Sequence, residues 1–278
     1  MPLKPILKWA GGKRQLLPKI DELLPEQFNK YYEPFIGAGA LFFEMKPSVA
    51  YINDINTELY ILYSVLSDPV KTNKLIKLLD NYILKQAQNP DDIYNSLIGS
   101  YKNTTALTDI EIAARLIYLN KTCFNGLYRV NKKGHFNVPR DKKRNNVNVY
   151  DVDNIIDISN FFINNSIHIS NTDFEIVCDT CEPGDFVYFD PPYDKLDDTT
   201  MHTAYSKDGF NKDDQIRLFE LFKRLSDNGV YCMLSNNATP FILDLYKDYK
   251  INIVKARRSI NSNKNGRSSV DEVIITNY

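Results

Sequence analysis

The stretch Phe186-Val187-Tyr188-Phe189-Asp190-Pro191-Pro192-Tyr193 decides how the rest of the chain is interpreted. Its first four residues form an apolar run that predicts a buried strand, and the two prolines prevent further sheet pairing. Asp190 is therefore expected at the carboxyl end of a strand. Open α/β sheets place their chemistry at that edge.

An acidic side chain beside a rigid diproline turn suits a planar ring that carries an exocyclic amine. The carboxylate of Asp190 and a proline carbonyl can accept the two amine hydrogens, while Tyr193 stacks on the ring. The lone pair of such a nitrogen is delocalised into the ring, and accepting both hydrogens frees it for attack. A strand end followed by an ordinary Asp-Pro turn is the structural alternative.

Composition is typical of a globular protein of one large domain or two modest ones. The chain has 278 residues, of which 43% are hydrophobic and 25% charged. No apolar run reaches the roughly 20 residues that span a bilayer, and the amino terminus lacks the apolar core of a signal peptide. We therefore expect a cytoplasmic protein with no membrane partner.

Cysteine usage gives little support for a metal. The chain has four cysteines, with one Cys-x-x-Cys pair among them: Cys123, Cys178, Cys181 and Cys232. Zinc would need two further ligands, and the chain has only three histidines. We expect free structural thiols in a reducing compartment and no metal site.

Basic residues are concentrated in three stretches, although the net charge is only -1. Residues 121–144 carry eight Lys or Arg against one acid, and residues 255–267 carry five and no acid. The third stretch precedes Asp21. Together they predict one positive face that binds phosphates. Solvated surface loops are the alternative.

A glycine-rich turn opens the chain at Lys8-Trp9-Ala10-Gly11-Gly12-Lys13. Its glycines let backbone N–H groups approach an anion, and the apolar spacing of residues 16–24 predicts a helix after it. The glycine spacing is not that of a Walker loop.

A second glycine turn, Gly37 and Gly39, separates a short strand at residues 31–35 from an apolar segment at 40–45. The next strand, residues 49–52, ends at Asn53-Asp54, where an acid could accept hydrogen bonds from ribose hydroxyls. Because the third glycine of a dinucleotide fingerprint is missing, an adenosine-bearing ligand without a pyrophosphate fits better.

From about residue 56 to residue 164 the pattern is helical. Asp68-Pro69 predicts one helix start, and the capping box Thr108-x-x-Glu111 predicts another, with Asn125-Gly126 as its stop. The first basic stretch follows at once and contains aromatic residues. A helical insert that ends in a basic, aromatic-containing loop is a candidate DNA-recognition element.

Strands and helices alternate in the last third of the chain. The pattern predicts strands at 167–170, 186–189, 230–234, 251–254 and 273–276, a helix at 212–227 and another that begins at Thr239-Pro240. This alternation predicts a mostly parallel sheet. The polar residues 194–209 lack periodicity and predict a mobile loop over the site.

Five motifs in this order resemble the Dam/DpnM-type adenine-specific DNA methyltransferases, in the group where cofactor motif, recognition domain and catalytic motif follow one another. They are Lys8-Trp9-Ala10-Gly11-Gly12-Lys13-Arg14, Glu33-Pro34-Phe35-Ile36-Gly37-Ala38-Gly39-Ala40-Leu41-Phe42-Phe43, Phe124-Asn125-Gly126-Leu127-Tyr128-Arg129, Phe136-Asn137-Val138-Pro139 and Asp190-Pro191-Pro192-Tyr193. The resemblance implies an α/β fold: a Rossmann-like methyltransferase domain with a mostly parallel sheet (residues 1–56 and 165–278) plus an inserted, mainly helical DNA-recognition domain (residues 57–164).

The same resemblance implies S-adenosylmethionine as cofactor. Its implied binding residues are Trp9, Ala10, Gly11, Lys13, Phe35, Gly37, Gly39, Asp54, Asp173, Phe174 and Asp190. The implied catalytic residues, which hold a flipped-out adenine, are Asp190, Pro191, Pro192 and Tyr193.

For DNA, the resemblance implies that Lys8, Leu127, Arg129 and Pro139 read GATC, and that Phe124 and Asn125 press into the duplex at the target pair. Asn131 and Lys132 are expected to contact DNA as well. Some relatives continue Phe-Gly-Arg-Tyr after the proline, whereas this chain has Arg140-Asp141-Lys142-Lys143. The resemblance is therefore weaker at the outer base pair.

The favoured hypothesis is an adenine methyltransferase that acts on double-stranded DNA, within GATC, with base flipping. Transfer to the 4-amino group of cytosine, an inactive DNA-binding protein on a methyltransferase fold, and a nucleotide-dependent oxidoreductase are the alternatives. We expect a monomer or weak dimer, with a companion restriction nuclease as one biological setting.

Overall fold

The structure, a computed structural model, describes residues 2–9, 16–143, 147–195, 209–257 and 269–278. The elements in these ranges are α1 (Leu17–Asp21), β1 (Tyr31–Glu33), α2 (Ala40–Met45), β2 (Val49–Asn53), α3 (Thr57–Leu66), α4 (Pro69–Gln88), α5 (Pro90–Gly99), α6 (Asp109–Thr122), α7 (Val152–Asn164), β3 (Ser166–Ser170), α8 (Phe174–Val177), β4 (Phe186–Phe189), α9 (Lys212–Asp227), β5 (Tyr231–Asn237), α10 (Pro240–Leu245), β6 (Lys250–Arg257) and β7 (Ser269–Thr276). None of these helices has the length and apolar character needed to cross a membrane.

The strands form one seven-stranded sheet in the order β3-β2-β1-β4-β5-β7-β6. The first five run parallel, and β7 is antiparallel to both of its neighbours. The predicted mostly parallel sheet is thus confirmed. The strand order reverses between β1 and β4, and a crevice outside the carboxyl ends of these strands is the expected ligand site.

Both faces of the sheet are covered. In β4, Phe186 and Tyr188 belong to one hydrophobic cluster, whereas Val187 and Phe189 belong to a second cluster on the opposite face. A strand buried on both sides needs apolar residues at every position. This explains why the sequence before Asp190 is an unbroken apolar run.

The helical segment shares its core with the sheet. Side chains of α3, α4, α6 and α7 lie in the same hydrophobic cluster as Tyr31 and Phe186, among them Leu59, Leu62, Leu75, Leu79, Leu116, Ile117, Ile155 and Ile158. Both α3 and α7 contact β3. The division of the chain into a catalytic domain and a recognition domain at 57–164 therefore stays a prediction.

Helix starts follow the predicted capping signals, but one helix ends early. Asp68 caps α4, and Thr108 with Glu111 forms the predicted capping box on α6. α6 ends at Thr122, before the predicted stop. The N–H of Phe124 donates to the carbonyl of Pro139 (2.9 Å) instead of continuing the helix. Asn125-Gly126 then forms a separate turn with positive φ at both residues.

Candidate active site

The acidic motif lies where the sequence predicts it, at the carboxyl end of β4. Asp190 and Tyr193 are half-buried, Pro191 is buried and Pro192 is exposed. The hydroxyl of Tyr193 donates to Oε2 of Glu272 on β7 (3.2 Å). Burial, reinforced by the nearby charge of Asp190, raises the pKa of Tyr193 well above its ordinary value. The ring therefore remains a neutral phenol.

A second carboxyl group lies on the neighbouring strand. Glu33, the last residue of β1, is only 2% exposed and accepts a hydrogen bond from the hydroxyl of Tyr31 (2.7 Å). Burial raises the pKa of Glu33 well above its usual range, and the charge of Asp190 raises it further. The neutral form of Glu33 is therefore favoured beside Asp190.

Residues 190–194, the turn that begins with Asp190 after β4, are here named the catalytic turn. Nε2 of Gln215 donates to the carbonyl of Pro192 (3.0 Å). Within the described parts of the chain no donor reaches the carbonyl of Pro191. The sequence leaves open which proline carbonyl faces the amine, and this arrangement favours Pro191.

The second glycine turn forms around Gly37 and Gly39, whose φ values are 49° and 70°. A Cβ at Gly37 would lie 3.1 Å from Cδ1 of Trp9, so this close approach requires glycine. The hydroxyl of Tyr63 donates to the carbonyl of Gly37 (2.8 Å). The structure thus brings Trp9 and the glycine turn together, and their role in cofactor binding stays a prediction.

Asp54 holds this turn from β2. Its Oδ2 accepts the N–H of Gly37 (3.0 Å), and its Oδ1 accepts the N–H of Asn56 (2.9 Å). Burial raises the pKa of Asp54 to about 6, against the opposing effect of these two donors. Each carboxylate oxygen has a second lone pair. The ribose contact therefore stays a prediction, beside a structural role that the sequence did not indicate.

An aromatic group forms the next wall of the site. The ring of Phe35 lies 5.3 Å from that of Phe174 and 5.7 Å from that of Phe210, which meets it edge-on. Asp173 accepts a hydrogen bond from Nη2 of Arg217 (3.0 Å), whose guanidinium lies 4.9 Å from the centre of the Phe174 ring. Phe210 and Arg217 were not predicted, because no motif marks them.

Part of the predicted site lies outside the described residues. This holds for Ala10, Gly11 and Lys13, for Arg144, for residues 196–208 of the predicted loop and for residues 258–267 of the second basic stretch. In the described ranges no three His, Cys, Asp or Glu side chains are grouped so that they could hold a metal. All four cysteines are free thiols.

The first basic stretch, predicted as a basic, aromatic-containing loop, folds back on itself as a hairpin. Antiparallel bridges join Cys123 to Arg140 and Val130 to Phe136. This unit, residues 123–140, is named the 123–140 hairpin. The predicted DNA contacts on it are exposed, except for a half-buried Leu127: Phe124, Asn125, Arg129, Asn131, Lys132 and Pro139.

The amino-terminal segment packs beside this hairpin. The buried side chain of Asn120 accepts from the N–H of Lys8 (2.8 Å) and donates to its carbonyl (2.8 Å). The same amide donates to the carbonyl of Gly126 (3.2 Å). Lys8, predicted to contact DNA, is thereby placed on the surface that carries the hairpin. Asn120 was missed, because an Asn within a helix carries no motif signal.

Some polar residues of the hairpin have structural partners. Nε of Arg129 donates to Oδ1 of Asn137 (2.8 Å), and Oδ1 of Asn131 accepts the N–H of His135 (3.1 Å). Arg140 is 9% exposed and forms an ion pair with Asp91 (2.7 Å). Not every basic residue of the stretch therefore faces solvent.

Behind the hairpin lies a buried ion pair that sequence reasoning missed. Nη2 of Arg115 donates to Oε1 of Glu58 (2.6 Å), and Arg115 is 1% exposed. The hydroxyls of Tyr101 and Tyr128 donate to Oε2 of Glu58 (3.0 and 2.9 Å). The ring of Tyr128 lies 4.8 Å from that of Trp9. Through Tyr128, the ion pair is thus connected to Trp9 beside the glycine turn.

Comparison with known proteins agrees with this geometry. The profile of the D12 class N6 adenine-specific DNA methyltransferases matches residues 9–260. The Type II methyltransferase M1.LlaDCHI of Lactococcus lactis subsp. cremoris is 44% identical over 278 residues, covering 99% of this chain and 96% of that protein. The Type II methyltransferase M.MjaIII of Methanocaldococcus jannaschii is 38% identical over 292 residues and all of both chains.

A third relative, the DNA adenine methylase of Salmonella typhi, is 31% identical over 275 residues, which are 96% of this chain and 93% of that protein. These similarities favour adenine over cytosine as the target base. They also favour an active methyltransferase over the binding-protein and oxidoreductase alternatives. With five motifs in order and the sheet and turns as described, the chain belongs to the D12 class N6 adenine-specific DNA methyltransferase family.

Proposed function

We propose that this methyltransferase moves a methyl group from S-adenosylmethionine to the 6-amino group of adenine in duplex DNA, within GATC, after the base has been flipped out of the stack. The observation that carries the proposal is the position of Asp190. It lies at the carboxyl end of β4, beside the strand that leads into the glycine turn of Gly37. Cofactor and target amine would therefore meet at one edge of the sheet.

The residues of the crevice fit such a cofactor. Half-buried Phe35, with the buried ring of Phe174 packed against it (5.3 Å), would offer a flat apolar surface for a purine, and Asp54 would accept from ribose hydroxyls. Trp9 packs against Gly37 at a distance that leaves no room for a Cβ, so the indole would border the cofactor beside the glycine turn. S-adenosylmethionine supplies a methyl group on a positively charged sulfur. Trp9, Ala10, Gly11, Lys13, Gly39 and Asp173 complete the proposed set.

Asp190 and its neighbours would act on the target amine. The carboxylate of Asp190 accepts one amine hydrogen and the carbonyl of Pro191 accepts the other, while Tyr193 stacks on the adenine. The carbonyl of Pro192 is already engaged by Gln215 (3.0 Å). The nitrogen lone pair is thereby freed, and transfer is direct, without a covalent enzyme intermediate.

The 123–140 hairpin would read the DNA. Arg129 is suited to bidentate contact with guanine, and Lys8, Leu127 and Pro139 would complete the reading of GATC. Exposed Phe124, with Asn125 in its positive-φ turn, would fill the space left by the flipped base. Asn131 and Lys132 would contact the backbone. We retain residues 57–164 as the proposed recognition domain.

Duplex DNA is the proposed partner, and a companion restriction nuclease is proposed as well, since the relatives include proteins named Type II methyltransferases. We propose a monomer or weak dimer in solution.

The proposal is tested by methyl transfer from labelled cofactor to two duplexes, one with GATC and one with its adenine replaced. We expect label in 6-methyladenine on the GATC duplex alone. Asp190→Ala should lose about 3 kcal/mol of transition-state stabilisation, roughly a hundredfold in rate. It should retain cofactor and DNA binding.

Asp227→Ala, an exposed carboxylate at the end of α9, is the matched control and should retain full activity. Label on both duplexes would remove the GATC assignment. Near-normal turnover of Asp190→Ala would remove the catalytic assignment.

A further inference from the structure

Two buried carboxamides connect Pro192, in the middle of the catalytic turn, to Asp194 at its end. Gln215 on α9 is 1% exposed and Asn236 on β5 is 0% exposed. Nε2 of Gln215 donates to the carbonyl of Pro192 (3.0 Å), and Oε1 of Gln215 accepts from Nδ2 of Asn236 (3.1 Å). Oδ1 of Asn236 in turn accepts the N–H of Asp194 (2.9 Å). We name this pair the amide bridge.

Each member of the amide bridge is used in a defined direction. An amide nitrogen only donates and an amide oxygen only accepts, so reversing either side chain would place donor against donor or acceptor against acceptor. Buried amides cannot exchange these partners for bulk water. Together with Asn237 and Thr239, which donate to the carbonyl and the carboxylate of Asp194, the bridge restrains the chain between Pro192 and Asp194.

The amide bridge is not needed to join the strands. β4 pairs along its whole length with the first four residues of β5 through the backbone, from Phe186 opposite Tyr231 to Phe189 opposite Leu234. A buried hydrogen bond between the hydroxyls of Tyr188 and Ser235 (2.9 Å) also joins their side chains. What the amide bridge adds is contact with the turn beyond the end of β4.

We propose that Gln215 and Asn236 are positioning residues for methyl transfer. They hold the catalytic turn so that the carboxylate of Asp190 and the carbonyl of Pro191 face the target amine together. Because Gln215 already engages the carbonyl of Pro192, the carbonyl of Pro191 is the favoured second acceptor. The inference rests on the proposed role of Asp190.

Loss of the amide bridge should lower the turnover number with little change in either Michaelis constant. Neither Gln215 nor Asn236 is among the residues proposed to touch cofactor or DNA, so binding should persist. A displacement of about 1 Å at reacting groups can cost about a hundredfold in rate. We therefore expect kcat to fall about 10- to 100-fold.

The test compares Gln215→Met with Ser235→Ala. Methionine matches glutamine in length and lacks the amide, while Ser235→Ala removes a buried hydrogen bond of the same sheet without touching the turn. Both variants should lower the thermal midpoint. Only Gln215→Met should lose turnover at saturating cofactor and DNA, with its KM values within about threefold of the unmodified chain.

Asn236→Asp is the second variant, for the case in which Gln215→Met does not fold. This variant retains the acceptor for Asp194, loses the donor to Gln215 and adds a charge, so the uncharged Asn236→Leu is compared with it; kcat should fall in both while KM persists. Turnover of any of these folded variants within twofold of Ser235→Ala would overturn the inference. If the inference fails in this way while Asp190→Ala is inactive in the same assay, the proposed function still holds. If Asp190→Ala is active, the proposed function itself fails.

Discussion

The catalytic turn and the 123–140 hairpin are both held from behind by buried polar side chains, but with different chemistry. The turn is held by the neutral amides of Gln215 and Asn236. The hairpin is held through Tyr128 by Glu58, which forms a buried ion pair with Arg115. We name this pair the ionic anchor.

The amides hold the turn without adding a formal charge, although Tyr193 of the same turn also donates to the carboxylate of Glu272. The hairpin is instead held by a buried ion pair. Such a pair is costly to break, because removing one partner leaves a buried charge without compensation. The free energy of unfolding should therefore fall more when one partner of the ionic anchor is removed than when one amide of the amide bridge is removed.

The largest expected effect comes from breaking the ionic anchor. Among the described residues, Glu58→Leu leaves the buried guanidinium of Arg115 with Oγ of Ser100 (3.2 Å) and the face of Tyr101. The free energy of unfolding, measured by urea titration, should fall by about 3–5 kcal/mol. Gln215→Met should lose only about 1–3 kcal/mol.

The double variant Glu58→Leu/Arg115→Leu is the control, since it removes both charges. It should be more stable than the single variant. A single variant that loses less than the Gln215→Met variant would reverse the comparison.

A second prediction separates base reading from phosphate contact on the hairpin. Arg129→Ala should reduce discrimination between GATC and altered duplexes by about 1–3 kcal/mol, because the bidentate contact is lost. Lys132→Ala should weaken binding to all duplexes alike. Binding titrations at several salt concentrations measure both. Equal effects of the two variants on cognate and altered DNA would remove the assignment of Arg129.

A third prediction uses pH, since the amide bridge does not titrate and Asp54 does. Burial raises the pKa of Asp54 from an ordinary 3.8 to about 6. Below about pH 6 the neutral carboxyl loses acceptor capacity, so cofactor affinity should fall by up to about tenfold per pH unit. The fluorescence of Trp9, the only tryptophan, can report binding.

The contribution of Asp54 to the free energy of unfolding should change with pH in the opposite direction to cofactor affinity. A raised pKa means that the folded state binds more protons, so the contribution of Asp54 to stability is greatest below pH 3.8 and is lost as pH rises through about 6. Asp54→Asn should remove the pH step in cofactor binding. Flat cofactor affinity between pH 7 and pH 5 would contradict the ribose role.

The smallest effect is expected at the exposed ion pair between Arg217 and Asp173, a residue proposed to bind the cofactor. Arg217 is 45% exposed and forms an ion pair with Asp173, while Arg224 on the same helix is 54% exposed and pairs with Asp179. Arg217→Gln should weaken cofactor binding by no more than about 1 kcal/mol, because solvent screens exposed pairs. Arg224→Gln should change nothing. Calorimetric titration of the cofactor into both variants measures this effect. Identical cofactor affinities of the two variants would show that Arg217 does not position Asp173.

Features encoded by neighbouring residues were predictable. The apolar run of β4, the positive-φ glycines before α2 and the capping box of α6 each depend on residues within a few positions of one another. The order of the motifs likewise carried the family and the position of Asp190. Where a competing long-range bond exists, such prediction failed, as at the end of α6, where Phe124 pairs with Pro139.

The sequence by itself determined the fold class, the family and the acidic centre, because these follow from local periodicity and from motifs written in continuous stretches. Only the tertiary structure decided that Gln215 engages the carbonyl of Pro192, that Arg140 is paired with Asp91, and that Glu58 and Arg115 meet beneath the hairpin. Those contacts join residues far apart in the chain, such as Lys8 and Asn120, 112 positions away. Which residues meet depends on how the helices and strands pack, and no local sequence pattern encodes that packing.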